Sequence, residues 1–225
     1  MCNDRKRQGI TETTLSWYKK NAPLYAEETK NSLVYDALGE FLSRVEEKGR
    51  ILDLGCGSGR DSFFFLQRGF SVDSLDGSED MKREADRLFG INVRLSDFLS
   101  LDEYEEYDGV WAQASILHLE EENLRKALFL ISRSLKNGGV FYSSFRKGDE
   151  DGYEGGRWYT NMTESRFSSL LPSNLHIENK DPKDFGCNES LVHTDFMVGS
   201  DKMKVTATTY NGEEILIMEN GNFVF

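Results

Sequence analysis

Arg50-Ile-Leu-Asp-Leu-Gly-Cys-Gly-Ser-Gly-Arg-Asp61 is the stretch whose reading decides the fold. A short apolar run ends in the carboxylate of Asp53, and Gly55, Gly57 and Gly59 follow at every second position. Glycine has no Cβ and tolerates positive φ, so this spacing suits a strand turning sharply into a helix with its backbone against a ligand. The carboxylate at the strand end favours a ligand with a positive group and hydroxyls over a bare phosphate. A dinucleotide fingerprint counted from Gly55 and Gly57 needs a third glycine at position 60, where Arg60 stands. A P-loop would close on Gly-Lys-Ser/Thr, which this loop lacks.

Working outward, Ala37, Leu38, Phe41, Leu42 and Val45 recur at three and four, the stripe of an amphipathic helix. Residues 51–54 read as the first strand, and Ser58-Gly-Arg-Asp61 as a capping box opening a helix through Phe63-Phe64-Phe65-Leu66. A second apolar run, 70–75, ends in Asp76, after which Ser78 is placed to cap a helix carrying Met81, Ala85 and Leu88. Strands are predicted over 92–95, 107–114 and 140–145. A helix striped by Leu124, Ala127, Leu128, Ile131 and Leu135 ends at Gly138-Gly139. Repeated β-α units imply an α/β fold: a Rossmann-like, doubly wound, mostly parallel sheet with helices on both faces. Ligands of such sheets bind at the carboxyl ends of the strands, where Asp53, Asp76 and Asp97 all fall.

The 225 residues suffice for one such domain and a small appendage. Cys2, Cys56 and Cys187 are odd in number and form no C-x-x-C pair, which argues against a disulfide framework or structural zinc and for a reducing cytoplasm. The polar start leads into no apolar segment, so neither a secretory signal nor a membrane span is expected. A net charge of −12 disfavours nucleic acid as a partner. Arg5-Lys6-Arg7 and Lys82-Arg83 read as solvated surface.

Asp53-Leu-Gly55-Cys-Gly57-Ser-Gly59 resembles motif I of the class I S-adenosylmethionine-dependent methyltransferases. Asp76 stands where that family places the acid that holds the ribose hydroxyls, and Asp97-Phe98 looks like its adenine-contacting pair. Asn137-Gly138-Gly139, Arg157-Trp158-Tyr159 and Asn161-Met162-Thr163-Glu164 extend the likeness over residues 18–171. The resemblance implies S-adenosylmethionine as cofactor and in-line methyl transfer, with cofactor-binding residues at Tyr18, Asp53, Gly55, Cys56, Gly57, Gly59, Asp76, Gly77, Ser78, Met81, Asp97, Phe98 and Gln113. Asp53 is expected to order the glycine loop by accepting backbone N–H bonds. Cys56 reads as packing, since nothing beside it lowers a thiol pKa.

His118 follows the fourth strand and is the candidate general base, with a satisfied structural histidine as the alternative. Arg146 and Arg157 flank the glycine-rich segment 148–156, read as a mobile loop over the acceptor. Both are candidates for gripping an anionic substrate. The expected acceptor is a small molecule; tRNA or protein methylation, or a non-catalytic cofactor sensor, are the alternatives. The stretch 189–225 resembles the C-terminus of the bimetallic bacterial aminopeptidases, whose His-x-Asp ligands would fall on His193 and Asp195. Two ligands do not make a stable site. The tail, 189–225, therefore reads as a β appendage without metal, divided from a 1–185 methyltransferase domain, with a hairpin turn at Tyr210-Asn211-Gly212-Glu213 and its strands expected to pair against the domain or against a second subunit in a homodimer.

Overall fold

The computed structural model describes residues 2–179, 193–200, 204–208, 214–219 and 222–223. Helices α1 (Cys2–Thr29) and α2 (Tyr35–Leu42) lead into β1 (Arg50–Leu54). There follow α3 (Arg60–Leu66), β2 (Ser71–Asp76), α4 (Glu79–Phe89), β3 (Val93–Leu95), β4 (Tyr107–Ala112), α5 (Glu121–Ser134) and β5 (Leu135–Arg146). A hairpin of β6 (Gly152–Glu154) and β7 (Arg157–Tyr159) precedes α6 (Glu164–Leu170), β8 (Leu175–Asn179) and β9 (His193–Ser200). The central sheet has the order β3-β2-β1-β4-β5-β9-β8. Its first five strands are parallel, β9 is antiparallel to β5, and β8 antiparallel to β9. β10 (Lys204–Thr208), β11 (Glu214–Glu219) and β12 (Asn222–Phe223) pair as a separate antiparallel sheet.

Strands covered on both sides must be apolar on both faces, and β4 is buried along its whole length. On one side Leu52, Leu54, Val110, Phe141 and Phe145 pack with Leu124, Leu128 and Ile131 of α5. On the other, Ile51, Trp111, Val140 and Tyr142 meet Leu38 and Phe41 of α2 and Phe65 of α3. Trp111 stacks on Tyr142 with ring centroids 3.9 Å apart and donates its Nε1–H to Asp61 at 3.0 Å.

Several expectations need correction. The tail is not wholly an appendage, because β9 pairs with β5 from Val140–Gly199 through Arg146–His193 and lies inside the central sheet. Its buried Phe196 and Val198 belong to the main core, which gives the strand the apolar partners it needs. Segment 148–156 is not a loose loop: it includes β6, and Asp151 binds the Arg166 guanidinium at 2.7 Å. The helix after the glycine loop is capped not by Ser58 but by Gly59, at φ 79°, with no side-chain cap bond. α1 went unpredicted because it has no continuous apolar stripe and holds Pro23 inside it. Its order comes from tertiary packing: Ala22 and Ala26 are fully buried against Met81, and the helix lies on α4 and β7. The turn signal at 210–213 lies outside the described residues.

Gly55 leaves β1 at φ 79°, and a Cβ built there would stand 2.3 Å from the Ser115 Cβ. Ser115 cannot retreat, since its hydroxyl donates to the Leu54 carbonyl at 2.6 Å. Gly55→Ala should therefore cost about 1–3 kcal/mol of unfolding free energy, from backbone strain and overpacking. Urea unfolding of the two proteins measures it.

Candidate functional site

A cavity of about 590 Å³ opens where β1, β2, β4 and β5 end and antiparallel β9 begins, with α1 along its other wall. The glycine loop forms its floor. Gly55 N and Cys56 N both donate to the Leu75 carbonyl, at 2.7 and 3.0 Å, tying the loop to the neighbouring strand. Asp76 completes the tie: its Oδ2 accepts from Gly57 N at 2.9 Å and its Oδ1 from Ser78 N at 2.7 Å. The loop is thus ordered by Asp76, not by Asp53 as the sequence led us to expect. Burial raises the Asp76 pKa against the lowering pull of these amides. The Gly77 amide bonds the same carboxylate, which with three amide donors still has acceptor capacity for a ligand.

Asp53 accepts instead from the Ser62 hydroxyl at 2.6 Å, and Ser74 donates to Ser62 at 2.7 Å. Burial, with the Asp61 charge beside it, pushes its pKa up to about 8. Asp61 is held by both Arg60 Nε at 2.7 Å and Arg60 Nη2 at 2.9 Å, while Arg60 Nη1 reaches the Thr29 carbonyl closing α1. Cys56 is half-buried, and burial together with Asp53 and Asp76 raises its thiol well above the ordinary value, which disqualifies it as a nucleophile.

On the far side, Asp97 Oδ1 accepts from Leu99 N at 2.8 Å, so the acid orders the turn that carries Phe98. Tyr18, Gly77, Met81, Gln113 and His118 also reach the cavity wall, as do Asp53, Gly55, Cys56, Gly57, Asp76, Asp97 and Phe98. Gly59 and Ser78 stand behind it. A Cβ on Gly59 would meet Ile91 Cγ1 at 2.9 Å, and Ser78 Oγ accepts from Met81 N at 3.3 Å as the cap of α4.

His118 Nδ1 lies 2.6 Å from the Trp158 carbonyl. A carbonyl can only accept, so Nδ1 carries the proton and Nε2 keeps its lone pair. Tyr18 Oη donates to that Nε2 at 3.2 Å, and Arg157 in turn hydrogen-bonds the Tyr18 hydroxyl. Burial lowers the His118 pKa to about 4, keeping the ring neutral. Trp158 N also donates to Thr14 of α1 at 3.1 Å, so the histidine, α1 and the β6–β7 hairpin form one hydrogen-bonded unit.

The two arginines are not brought into the cavity wall. Arg146 donates to Glu154 at 2.7 Å and lies 3.4 Å over the Tyr159 ring. Arg157 lies 4.1 Å over Trp17. Their guanidinium faces are spent on aromatic contacts that lock the hairpin to α1 and the sheet.

Sequence reasoning missed Tyr142, Ser144 and Asp195, which all line the cavity. Tyr142 donates its hydroxyl to Asp195, whose pKa burial pushes up to about 7. The one available signal was the period of two in Tyr142 and Ser144, which puts both on one face of a predicted strand. Among the described residues no group of three or more His, Cys, Asp or Glu is arranged to hold a metal ion; the side chain of His193 lies outside them.

The strand order, the glycine loop and the carboxylates at successive strand ends define a Rossmann-like methyltransferase fold. A methyltransferase-domain family model matches residues 51–139, and a thermophilic metalloprotease (M29) model matches residues 167–223. An uncharacterized methyltransferase of Staphylococcus carnosus is 26% identical over 166 residues, 70% of this chain and 78% of that protein. A glycine/sarcosine N-methyltransferase of Parasynechococcus marenigrum is 33% identical over 126 residues. That match covers 51% of this chain and 45% of the relative, so the chain spans about half of that relative's length. Among solved structures, the 1,6-didemethyltoxoflavin-N1-methyltransferase of Burkholderia thailandensis, bound to 1,6-didemethyltoxoflavin and S-adenosylhomocysteine, superposes with a TM-score of 0.69. It is 19% identical and covers 87% of this chain and 90% of its own. An S-adenosylmethionine-dependent methyltransferase of Clostridium acetobutylicum gives 0.61 at 18% identity, over 82% of this chain and 99% of its own. The chain carries a methyltransferase domain over residues 51–139 and has the fold of S-adenosylmethionine-dependent methyltransferases. The metalloprotease-like segment overlaps β8 and β9, which here are strands of the methyltransferase sheet.

The depressed His118 pKa carries a stability consequence. A neutral histidine in the fold and an ordinary one in the unfolded chain favour folding fully above pH 6.5. That advantage is lost as pH falls from 6.5 towards 4. The unfolding free energy of the native protein relative to His118→Asn should fall by roughly 3 kcal/mol between pH 7 and pH 4. Urea titrations of both proteins at the two pH values check the difference.

Proposed function

We propose that this methyltransferase acts on a small-molecule acceptor held in the cavity between α1 and the strand ends. The observation that supports this reading is the wall formed by α1. Its residues Thr14, Leu15 and Tyr18 line the cavity, and Thr14 and Tyr18 are bonded to Trp158 and His118 across it. A macromolecular acceptor needs an open or basic groove, whereas this chain carries a net charge of −12.

The site residues take these roles. Asp76 accepts the ribose hydroxyls on the lone pairs its amides leave free. Asp97 and Phe98 hold the adenine, with Met81 against its face. Gly55, Cys56 and Gly57 bring backbone close to the methionine portion, near Asp53 and Tyr18. Gly59, Gly77 and Ser78 shape the loop ends. The buried Oε1 of Gln113 has no partner among the described residues, and it fits a donor on the bound pair. When bound, the cofactor supplies a methyl group activated by sulfonium sulfur. The chain's own task is to align an acceptor with that group and exclude water. His118, the candidate base in the sequence, is neutral and accepts from Tyr18 at Nε2, so it orients that hydroxyl in the cavity wall. Arg146 and Arg157 position the hairpin and α1 rather than gripping substrate.

Residues 193–200 belong with the methyltransferase unit, and β10, β11 and β12 form the appendage, which we place at a homodimer contact. Among the described residues no helix is long and apolar enough to cross a membrane, and the odd, scattered cysteines support a cytoplasmic setting. Asp76→Ala should weaken S-adenosylhomocysteine binding by about 1.5–3 kcal/mol, the range for hydrogen bonds to a charged group, by calorimetry. Labelled methyl donor incubated with a cell extract, with and without RNase, tests the acceptor class. Label passing a small-molecule filter supports the proposal, and label retained on RNA or protein overturns it.

A further inference from the structure

The cavity changes character along the sheet. Asp97 follows β3, Asp76 ends β2, Asp53 lies on β1, Gln113 follows β4, Ser144 is on β5 and Asp195 on β9. Neighbouring strands lie roughly 4.8 Å apart, so Asp195 is carried about four strand spacings from the strand of Asp76. Ser144 and Asp195 are register partners, and Ala114 N donates to Ser144 Oγ at 2.8 Å, which brings the end of β4 to the same corner. If β3, β2 and β1 hold the nucleoside and methionine portions, the β4–β5–β9 corner is left for the acceptor.

Among the described residues this corner offers hydrogen-bond acceptors and no free cation. Among the described residues the cavity wall carries Asp53, Asp61, Asp76, Asp97 and Asp195 against Arg60 alone, and Arg60 is bound through two nitrogens to Asp61. The Tyr142 hydroxyl is committed to Asp195. Gln113 Oε1 is buried and has no partner among the described residues. A carboxylate or phosphate placed here would face like charges with no cation to offset them. A group rich in N–H donors would satisfy what the wall presents.

We propose that the methyl acceptor is a small amine and that Asp195 receives its N–H. The proposal rests on the small-molecule reading above and narrows it. The amine nitrogen, as its free base, forms the new N–C bond with its lone pair. The methyl carbon–sulfur bond breaks and its electron pair stays on sulfur as a neutral thioether. The proton released from nitrogen passes to an Asp195 oxygen and then to solvent. Asp195 thereby touches the acceptor, while Tyr142 orients the carboxylate from behind.

Two measurements test this. Ligand-observed NMR on the full chain saturated with S-adenosylhomocysteine would compare butylamine with butyrate, probes of similar length and opposite charge. Binding of butylamine alone, lost in Asp195→Asn while S-adenosylhomocysteine affinity stays within about twofold, is the expected result. Preference for butyrate, binding of neither, or butylamine binding unaffected by Asp195→Asn overturns the proposal. In parallel, mass spectrometry of small molecules labelled from the methyl donor in cell extract should find an N-methyl product. Its formation should drop about ten- to a hundredfold in Asp195→Asn, the loss of one charged hydrogen bond. An O-, S- or C-methylated small molecule overturns the amine assignment and leaves the small-molecule reading standing. Label confined to RNA or protein overturns both.

Discussion

The carboxylate of Asp76 is the tie on which the site depends. By taking the amides of Gly57 and Ser78 it fixes the turn after β1 and the turn after β2 with one side chain. The loop needs such an external tie. Positive φ at Gly55, Gly57 and Gly59 leaves three of its positions without a side chain to pack. Neutral hydrogen bonds are weaker than bonds to a charged acceptor, so a carboxylate holds such a loop better than a serine or asparagine would. The same oxygens remain able to accept from a ligand, which makes one residue both frame and binding group.

The parts of this protein legible in its sequence are those whose signal is local. The apolar run before Asp53, the alternating glycines and the stripes of α2 and α5 each declare themselves within a short window. The parallel sheet and the strand-end acids follow from them. α1 was not legible, because its buried residues are alanines and its order comes from α4 and β7, distant in the chain. The β6–β7 hairpin hid behind glycines and acids that resemble a loop. It is held by Arg166–Asp151 and by Arg157 over Trp17, contacts with no periodicity. Arg146 and Arg157 looked free in sequence for the same reason: their aromatic partners are visible only in three dimensions.

β9 shows how a local likeness can mislead about position. His193-x-Asp195 reads as a ligand pair by its period of two, and the metalloprotease-like match covers that stretch. In the fold the strand sits between β5 and β8, with Asp195 opposite Ser144 and bonded by Tyr142. A carboxylate there serves the cavity of the methyltransferase, whatever else its neighbours in sequence suggest.

The two halves of the cavity have different genetic layouts. The wall from Asp53 to Phe98 comes from one continuous stretch, inside the segment that matches the methyltransferase-domain model. The opposite corner is gathered from Gln113, Tyr142, Ser144 and Asp195, and the last three fall outside that segment. Substitutions in the second group can accumulate without disturbing the Asp76 tie or the glycine turn. Drift in what is methylated is thereby uncoupled from retention of the methyl donor. On the proposed assignment of that corner to the acceptor, a lineage of this architecture can diversify its chemistry by editing β5 and β9.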